Sequence, residues 1–367
     1  MKKVLFSNLI GALLLASCTQ KGPMVLETHD VDFLNRTGDV VHGKFLDLDV
    51  AGGHTIAVYD TLLMVTTGNP AALLQVYHTE TLKPLAMLCQ QGHAANEFAD
   101  KYIFKSDQTF LRDEDVIIVL RGEGGNTLKE INVSASVREG YTVVEGIRND
   151  MPHGCADVVG LDNGTDRLFI FNNHNYNMIE NVYNPPSFSV LSSNGTEDVD
   201  VYTRLVDFEN PVYSTFWYDG SICKHPSKNI VVQCMHTMDY IHFFNLDSGK
   251  CFSIHQKGAP TLGGIRVRNE IVNDIYMYDF NHFSQSIATE DMFLVIYYGG
   301  DYRKDNLVQS HGEAAELLAF DWNGNYLGGV KLDIIADDLA YNPMTNMLYG
   351  FRIRDEKIVT YDLSGFK

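Results

Sequence analysis

The chain has 367 residues, 45% hydrophobic, 20% charged and 11% aromatic, with 30 Gly, 10 Pro and 6 Cys. That balance excludes a disordered, collagenous or disulfide-stapled protein. Lys and Arg number 28 against 47 Asp and Glu, a formal net charge of −19, so the body repels phosphate backbones and nucleic acid is not an expected partner.

The chain opens on Met1-Lys2-Lys3 and an apolar run from Val4 to Ala16, broken only by Ser7, Asn8 and Gly11, which leads into Leu15-Ala16-Ser17-Cys18. A basic start, a short apolar core and small residues before a processing point read as a secretory signal over residues 1–17, too short for a stable membrane span. Residues 18–39 then read as a tether and 40–367 as the folded domain. Five cysteines follow, Cys89, Cys155, Cys223, Cys234 and Cys251. An odd number cannot all pair and no C-x-x-C occurs, so they are expected as small core residues.

The dominant pattern is a repeat. Six times an Asp or Asn introduces a short apolar run: Asp60 before Leu62–Val65, Asp115 before Val116–Leu120, Asp166 before Leu168–Phe171, Asn229 before Ile230–Val232, Asp291 before Met292–Ile296 and Asn346 before Met347–Tyr349. The intervals are 55, 51, 63, 62 and 55. Runs this short, rich in β-branched and aromatic residues and introduced by turn formers, predict strands buried on both faces. A second element, an aromatic-bearing strand, a tight turn and another strand, follows at Phe243–Lys250, Phe320–Asn325 and Tyr361–Gly365, with a weaker copy at Tyr77–Thr81. Copies of one unit of about 50 residues and four strands predict the blades of an all-β propeller, six in number. The last unit stops after its third strand, and an unassigned stretch from Val40 to Leu48 precedes the first. That stretch is expected to supply the outer strand of the last blade, beside Val359-Thr360-Tyr361, and so to close the ring.

Leu15-Ala16-Ser17-Cys18 resembles the lipobox of bacterial lipoproteins, which implies lipid attachment at Cys18 and a membrane partner through that lipid. No acidic run follows Cys18, so the periplasmic side of the outer membrane is the expected location. Together with Gly92-His93-Ala94-Ala95-Asn96-Glu97-Phe98 and Phe320-Asp321-Trp322-Asn323-Gly324, the lipobox makes the chain resemble the TolB-like six-bladed propeller lipoproteins. Ala94 and Ala95 stand where that family usually carries Gly and Pro. The resemblance implies a propeller in the bacterial envelope and no particular activity.

Motifs for chemistry are missing from the sequence: it holds no H-E-x-x-H, G-x-S-x-G, P-loop or EF-hand spacing, and neither a cofactor nor a metal is expected. Asp162–Asp166 has the composition of a calcium loop without the distal Glu, and reads as a hairpin turn. In a propeller, the loops joining second to third strands and those joining consecutive blades share one face, and loops carry function on a rigid scaffold. On that face the repeat places His93 and Glu97, Arg121, His174 and Tyr176, His236 with Asp239, Tyr302 and Arg303 in a long Gly299–Glu316 loop, and Arg354. Arginines there could receive an anionic group, or pair with acids beside them; Glu97 is expected to fix its own turn. The sequence therefore points to a lipid-anchored binding or scaffold propeller for a protein, peptide or saccharide ligand. The alternative is a periplasmic hydrolase or lyase at the channel mouth, marked by convergence of acids and His.

Overall fold

A computed structural model describes residues 27–33, 37–48, 50–101, 103–122, 126–152, 155–172, 175–177, 182–184, 187–199, 220–236, 238–258, 280–301 and 315–366. Each of the six apolar runs is the second strand of a sheet: Leu62–Thr66, Asp115–Gly122, Arg167–Asn172, Ile230–Met235, Met292–Asp301 and Met347–Arg352. Each is flanked by antiparallel neighbours on both sides. The reason these runs are continuous rather than alternating lies in the packing. Successive side chains of a strand point to opposite faces, and here both faces meet another blade. Val116, Ile118 and Leu120 pack toward blade one while Ile117 and Val119 pack toward blade three. Likewise Phe293 and Val295 face blade four, and Leu294 and Ile296 face blade six.

Six apolar clusters thus fill six blade-to-blade interfaces, including the one between blades six and one, where Ile56, Val58 and Leu63 meet Tyr349, Phe351 and Ile358. The first strands, Ile56–Tyr59, Phe104–Arg112, Cys155–Leu161, Gly220–Lys224, Phe280–Ala288 and Asp338–Asn342, touch one another in sequence around the axis and back to the start. This is a closed all-β six-bladed propeller.

Polar side chains latch the inner strands across these interfaces. Gln108 of blade two uses both ends of its amide on Gly160 of blade three, donating to its carbonyl at 2.9 Å and accepting from its N–H at 2.8 Å. Asp157 accepts from Ile222 N in blade four at 3.2 Å, Ser221 donates to Ser284 O in blade five at 2.6 Å, and Asp338 accepts from Ile56 N across the closure at 2.7 Å. Such bonds satisfy backbone groups that the outer neighbours of each inner strand cannot reach.

The N-terminal arm departs from expectation. Closure occurs as anticipated in blade six, but only through Lys44–Phe45 (β3), whose residues pair antiparallel with Thr360 and Val359. Before it, Thr37–Val41 (β2) runs parallel beside Tyr326–Leu332 of blade five, so Val40 and Val41 belong to blade five. Earlier still, Glu27–Val31 (β1) runs parallel beside Lys250–Gln256 of blade four. The arm therefore edges three successive blades, and part of the stretch read as tether is sheet. Between β1 and β2 the chain turns inward, and Phe33 is fully buried between blades four and five. Its N–H donates to Gln256 Oε1 at 2.9 Å.

Blade two carries the one helix among the described residues, Val133–Glu139 (α1), between its third and fourth strands. Asn132 caps it by accepting from Ala135 N at 2.7 Å. Gly140 ends it in the left-handed region at φ 75°, its N–H bonded to Ser136 O. The Arg138 guanidinium holds the Asp115 carboxyl at about 2, with help from Asn132.

All five cysteines after Cys18 are free thiols; Cys89, Cys223 and Cys234 are buried and Cys155 and Cys251 half-buried. Cys223 stands opposite Val232 in its hairpin and not opposite Cys234. Burial raises the thiol pKa of Cys155 to about 11 and pushes that of Cys89 higher still. Cys18 lies outside the described residues.

Candidate functional site

The turn joining first to second strands opens on one face, and the loop joining second to third strands on the other. On the first face the six inner strands and their turns enclose a cavity of about 240 Å³ at the mouth of the central channel. Every blade contributes: Tyr59 and Asp60 from blade one, Phe110 from blade two, Asn163 from blade three, Lys224 from blade four, Glu290 from blade five and Asn342 from blade six. The turns that supply these groups follow from local sequence. Asp60, Asp162 and Asn163 adopt positive φ of 51°, 54° and 53°, a region that Asp and Asn tolerate best among residues with a side chain.

Most polar groups in the cavity wall are already engaged. Gln108 is bound to Gly160, Ser286 sits 3.1 Å from Ser221 Oγ, and Asn342 donates to Asp60 O at 2.7 Å and accepts from Met344 N at 3.1 Å. What remains is apolar wall from Ala57, Phe110, Ile287, Leu339 and Ala340, together with charge at the rim. Lys224 is only 6% exposed. Its ammonium donates to His225 O at 2.8 Å and Pro226 O at 3.2 Å, with Asn163 Oδ1 at 3.5 Å. Burial pulls its pKa below the usual lysine range, and Asp162, Glu290 and Asp247 pull it back. Burial together with the Asp60 and Glu290 carboxylates pushes the Tyr59 phenol up.

Those of the residues singled out in the sequence that are described lie on the second face, and they serve separate blades. Glu97 accepts from Ala94 N at 3.0 Å and its carbonyl receives the Lys129 ammonium. It closes the turn between blades one and two around the buried Phe98, while His93 is exposed beside it. Arg121 donates to Cys155 O at 2.7 Å, tying blade two to the start of blade three. Arg354 is exposed, and it is Arg352 that stands 3.4 Å from Asp355. Tyr176 falls in a short extra hairpin, Asn175–Asn177 against Val182–Asn184. The second strand of blade five continues through Gly299 and Gly300 to Asp301, pairing with Phe280 and Asn281, so those glycines are strand residues rather than loop. Tyr302 and Arg303, like His174, lie outside the described residues.

His236 and Asp239 do meet further ionisable groups. Asp239 Oδ1 accepts from the Tyr297 hydroxyl at 2.7 Å and lies 2.6 Å from His282 Nδ1. The His236 carbonyl accepts from His282 N at 2.7 Å. Desolvation raises the Asp239 carboxyl, and His282 and Tyr297 outweigh it, leaving it below the ordinary aspartate value. Sequence reasoning missed His282 and Tyr297, because residues 43 and 58 positions from Asp239 make no linear motif. It also missed the whole channel-mouth cavity, which takes its groups one blade at a time.

The fold and its channel mouth define a six-bladed β-propeller with a ligand-sized axial cavity. No protein-family model and no curated protein matches the chain. Among solved structures it is similar to a member of the DUF4221 family from Bacteroides vulgatus, at 10% identity over 87% of this chain and 97% of that one, with a TM-score of 0.51. It is also similar to an exported-protein candidate from Bacteroides fragilis, at 11% identity over 92% and 99% of the two chains, with a TM-score of 0.49. At 10% identity the likeness to the DUF4221 member speaks for a shared fold alone.

Proposed function

We propose that this protein is a lipid-anchored binding propeller of the bacterial envelope, held through Cys18 on the periplasmic side of the outer membrane, which takes its ligand at the channel mouth. The observation that carries the reading is the cavity itself. It is assembled from all six blades, several of its polar groups are spent on holding the ring together, and apolar side chains supply much of the rest of its wall, an arrangement suited to grip rather than to bond-making. A small molecule, or the end of a peptide or saccharide, fits about 240 Å³. The test is capture from an envelope extract by the full chain in detergent, compared with Ala288→Phe, which narrows the cavity, and Arg354→Ala on the other face. Loss of the captured component with Ala288→Phe alone supports the reading. Loss with Arg354→Ala alone moves the site to the second face.

A second reading, an envelope hydrolase or lyase, is favoured by one observation: Asp239, His282 and Tyr297 converge beside the second-to-third-strand turn of blade four. An Asp that orients a His is a common acid–base arrangement, yet the same bonds also join blades four and five. Turnover of ester and glycoside probes that disappears in His282→Gln while the melting temperature holds would establish it.

A further inference from the structure

The axial cavity does not end at the channel mouth. Tyr59, Asp60 and Met344 line it and also line a groove between blades one and two on the same face. Leu62, Leu111, Val116 and Val137 form the apolar part of that groove, and Leu111 and Met344 are 47% and 69% exposed. Two carboxylates stand along it, Asp60 where groove and cavity meet and Glu114 in the groove alone. Both residues are exposed, and among the described residues neither carboxylate has a hydrogen-bond or ion-pair partner. The neighbouring cations are spent on other acids. Arg112 lies 2.7 Å from Glu130 and 2.9 Å from Glu145, and Arg138 holds Asp115 through two bonds of 2.7 and 2.8 Å. Lys224, in the axial cavity, is bound to the His225 and Pro226 carbonyls and stands among Asp162, Glu290 and Asp247, so it calls for no anion from a ligand. Glu290 in turn accepts from Ser227 Oγ at 2.8 Å. Asp60 and Glu114 are left without a cation, and Leu111 and Met344 without an apolar cover.

Resting on the binding reading, we propose that the channel mouth and the groove together take an extended peptide in which basic and apolar residues alternate. Successive side chains of an extended chain point to opposite sides. The apolar ones would therefore lie on the groove and in the axial cavity, while the basic ones between them reach the exposed carboxylates. Apolar contact supplies affinity by removing Leu111 and Met344 from water. Charge supplies the choice of partner, because an acidic peptide would set like charges against Asp60 and Glu114. An extended ligand matches better than a compact one, since the two carboxylates belong to turns of different blades and call for separate charges.

The test is calorimetric titration of the full chain in detergent, with the heat of each peptide into detergent alone subtracted. The probes are three acetylated and amidated hexapeptides of alternating sequence: leucine–lysine, leucine–glutamate and serine–lysine. The leucine–lysine peptide should bind, and the other two about tenfold or more weakly. Asp60→Asn combined with Glu114→Gln should weaken it about fivefold or more. Glu80→Gln, which removes an exposed acid of the same face outside both cavities, should leave it unchanged. No binding of the leucine–lysine peptide, equal binding of the serine–lysine one, no loss in the double variant or an equal loss in Glu80→Gln overturns the proposal. Both sites carry exposed side chains and receive near-isosteres, and an unchanged melting temperature confirms that the variants fold. If the leucine–lysine peptide fails while Ala288→Phe still abolishes capture, the peptide class falls and the binding site stands; if Ala288→Phe spares capture too, the site falls with it.

Discussion

Phe33 sits between blades four and five with its ring 5.5 Å from Tyr297 and 5.6 Å from Phe320, both edge-on, and 5.9 Å from Phe283. Deleting a fully buried aromatic loses its transfer energy and leaves a cavity, so Phe33→Ala should cost about 3–5 kcal/mol in a denaturant titration. Gly160 is constrained by a different contact. A Cβ there would lie 2.0 Å from Gly164 O and 2.4 Å from Gln108 Oε1, so Gly160→Ala must break the latch between blades two and three and lower the melting temperature. Asp239 gives a pH signature. Its folded-state pKa is depressed, so the stability it contributes is present above the unfolded value of about 3.9 and is lost as pH falls through the folded value. Urea titrations of the parent and Asp239→Asn should differ at pH 6 and converge toward pH 3. A constant gap would mean that the carboxylate charge is not what stabilises the joint.

Among the elements, the second strands were readable because they are buried on both sides and their sequence is an unbroken apolar run. Their hairpins were readable because Asp, Asn and Gly take the positive φ the turns need, as Gly249 and Gly324 do at 68° and 84°. β1 carried no such signal: Glu-Thr-His-Asp-Val is exposed for its first four residues and is held by backbone pairing at a sheet edge. α1 was missed because seven residues are too few to show a helical period. Its one legible mark was a capping Asn. Asn132→Ala should cost about 1 kcal/mol or more, since the same amide also donates to Asp115 and Glu145. The arm gives a sharper test of its own. Removing residues up to 26 should leave the unfolding midpoint unchanged, whereas removing residues up to 36 deletes β1 and Phe33 and should lower it while leaving the ring closed by β3. Equal midpoints for the two truncations would show that blades four and five do not depend on the arm.

Across the whole molecule, the direction of β1 has a geometric consequence. It runs parallel to Lys250–Gln256, a fourth strand that rises from the turn at Asp247–Gly249, on the cavity side, and leaves on the opposite side. Glu27 is therefore at the cavity side of the rim of blade four, and it lies nine residues beyond Cys18. Nine extended residues span at most about 32 Å. If Cys18 carries lipid as proposed, the disc is expected to hang from that edge with its axial opening on the bilayer side, while Arg354 and His93 look away from it. Fluorophores placed at Asp113, in the first-to-second-strand turn of blade two, and at Arg354 report this tilt in vesicles carrying an acceptor lipid. Energy transfer should be stronger from position 113, and equal transfer from both would mean that the disc tumbles freely on its leash.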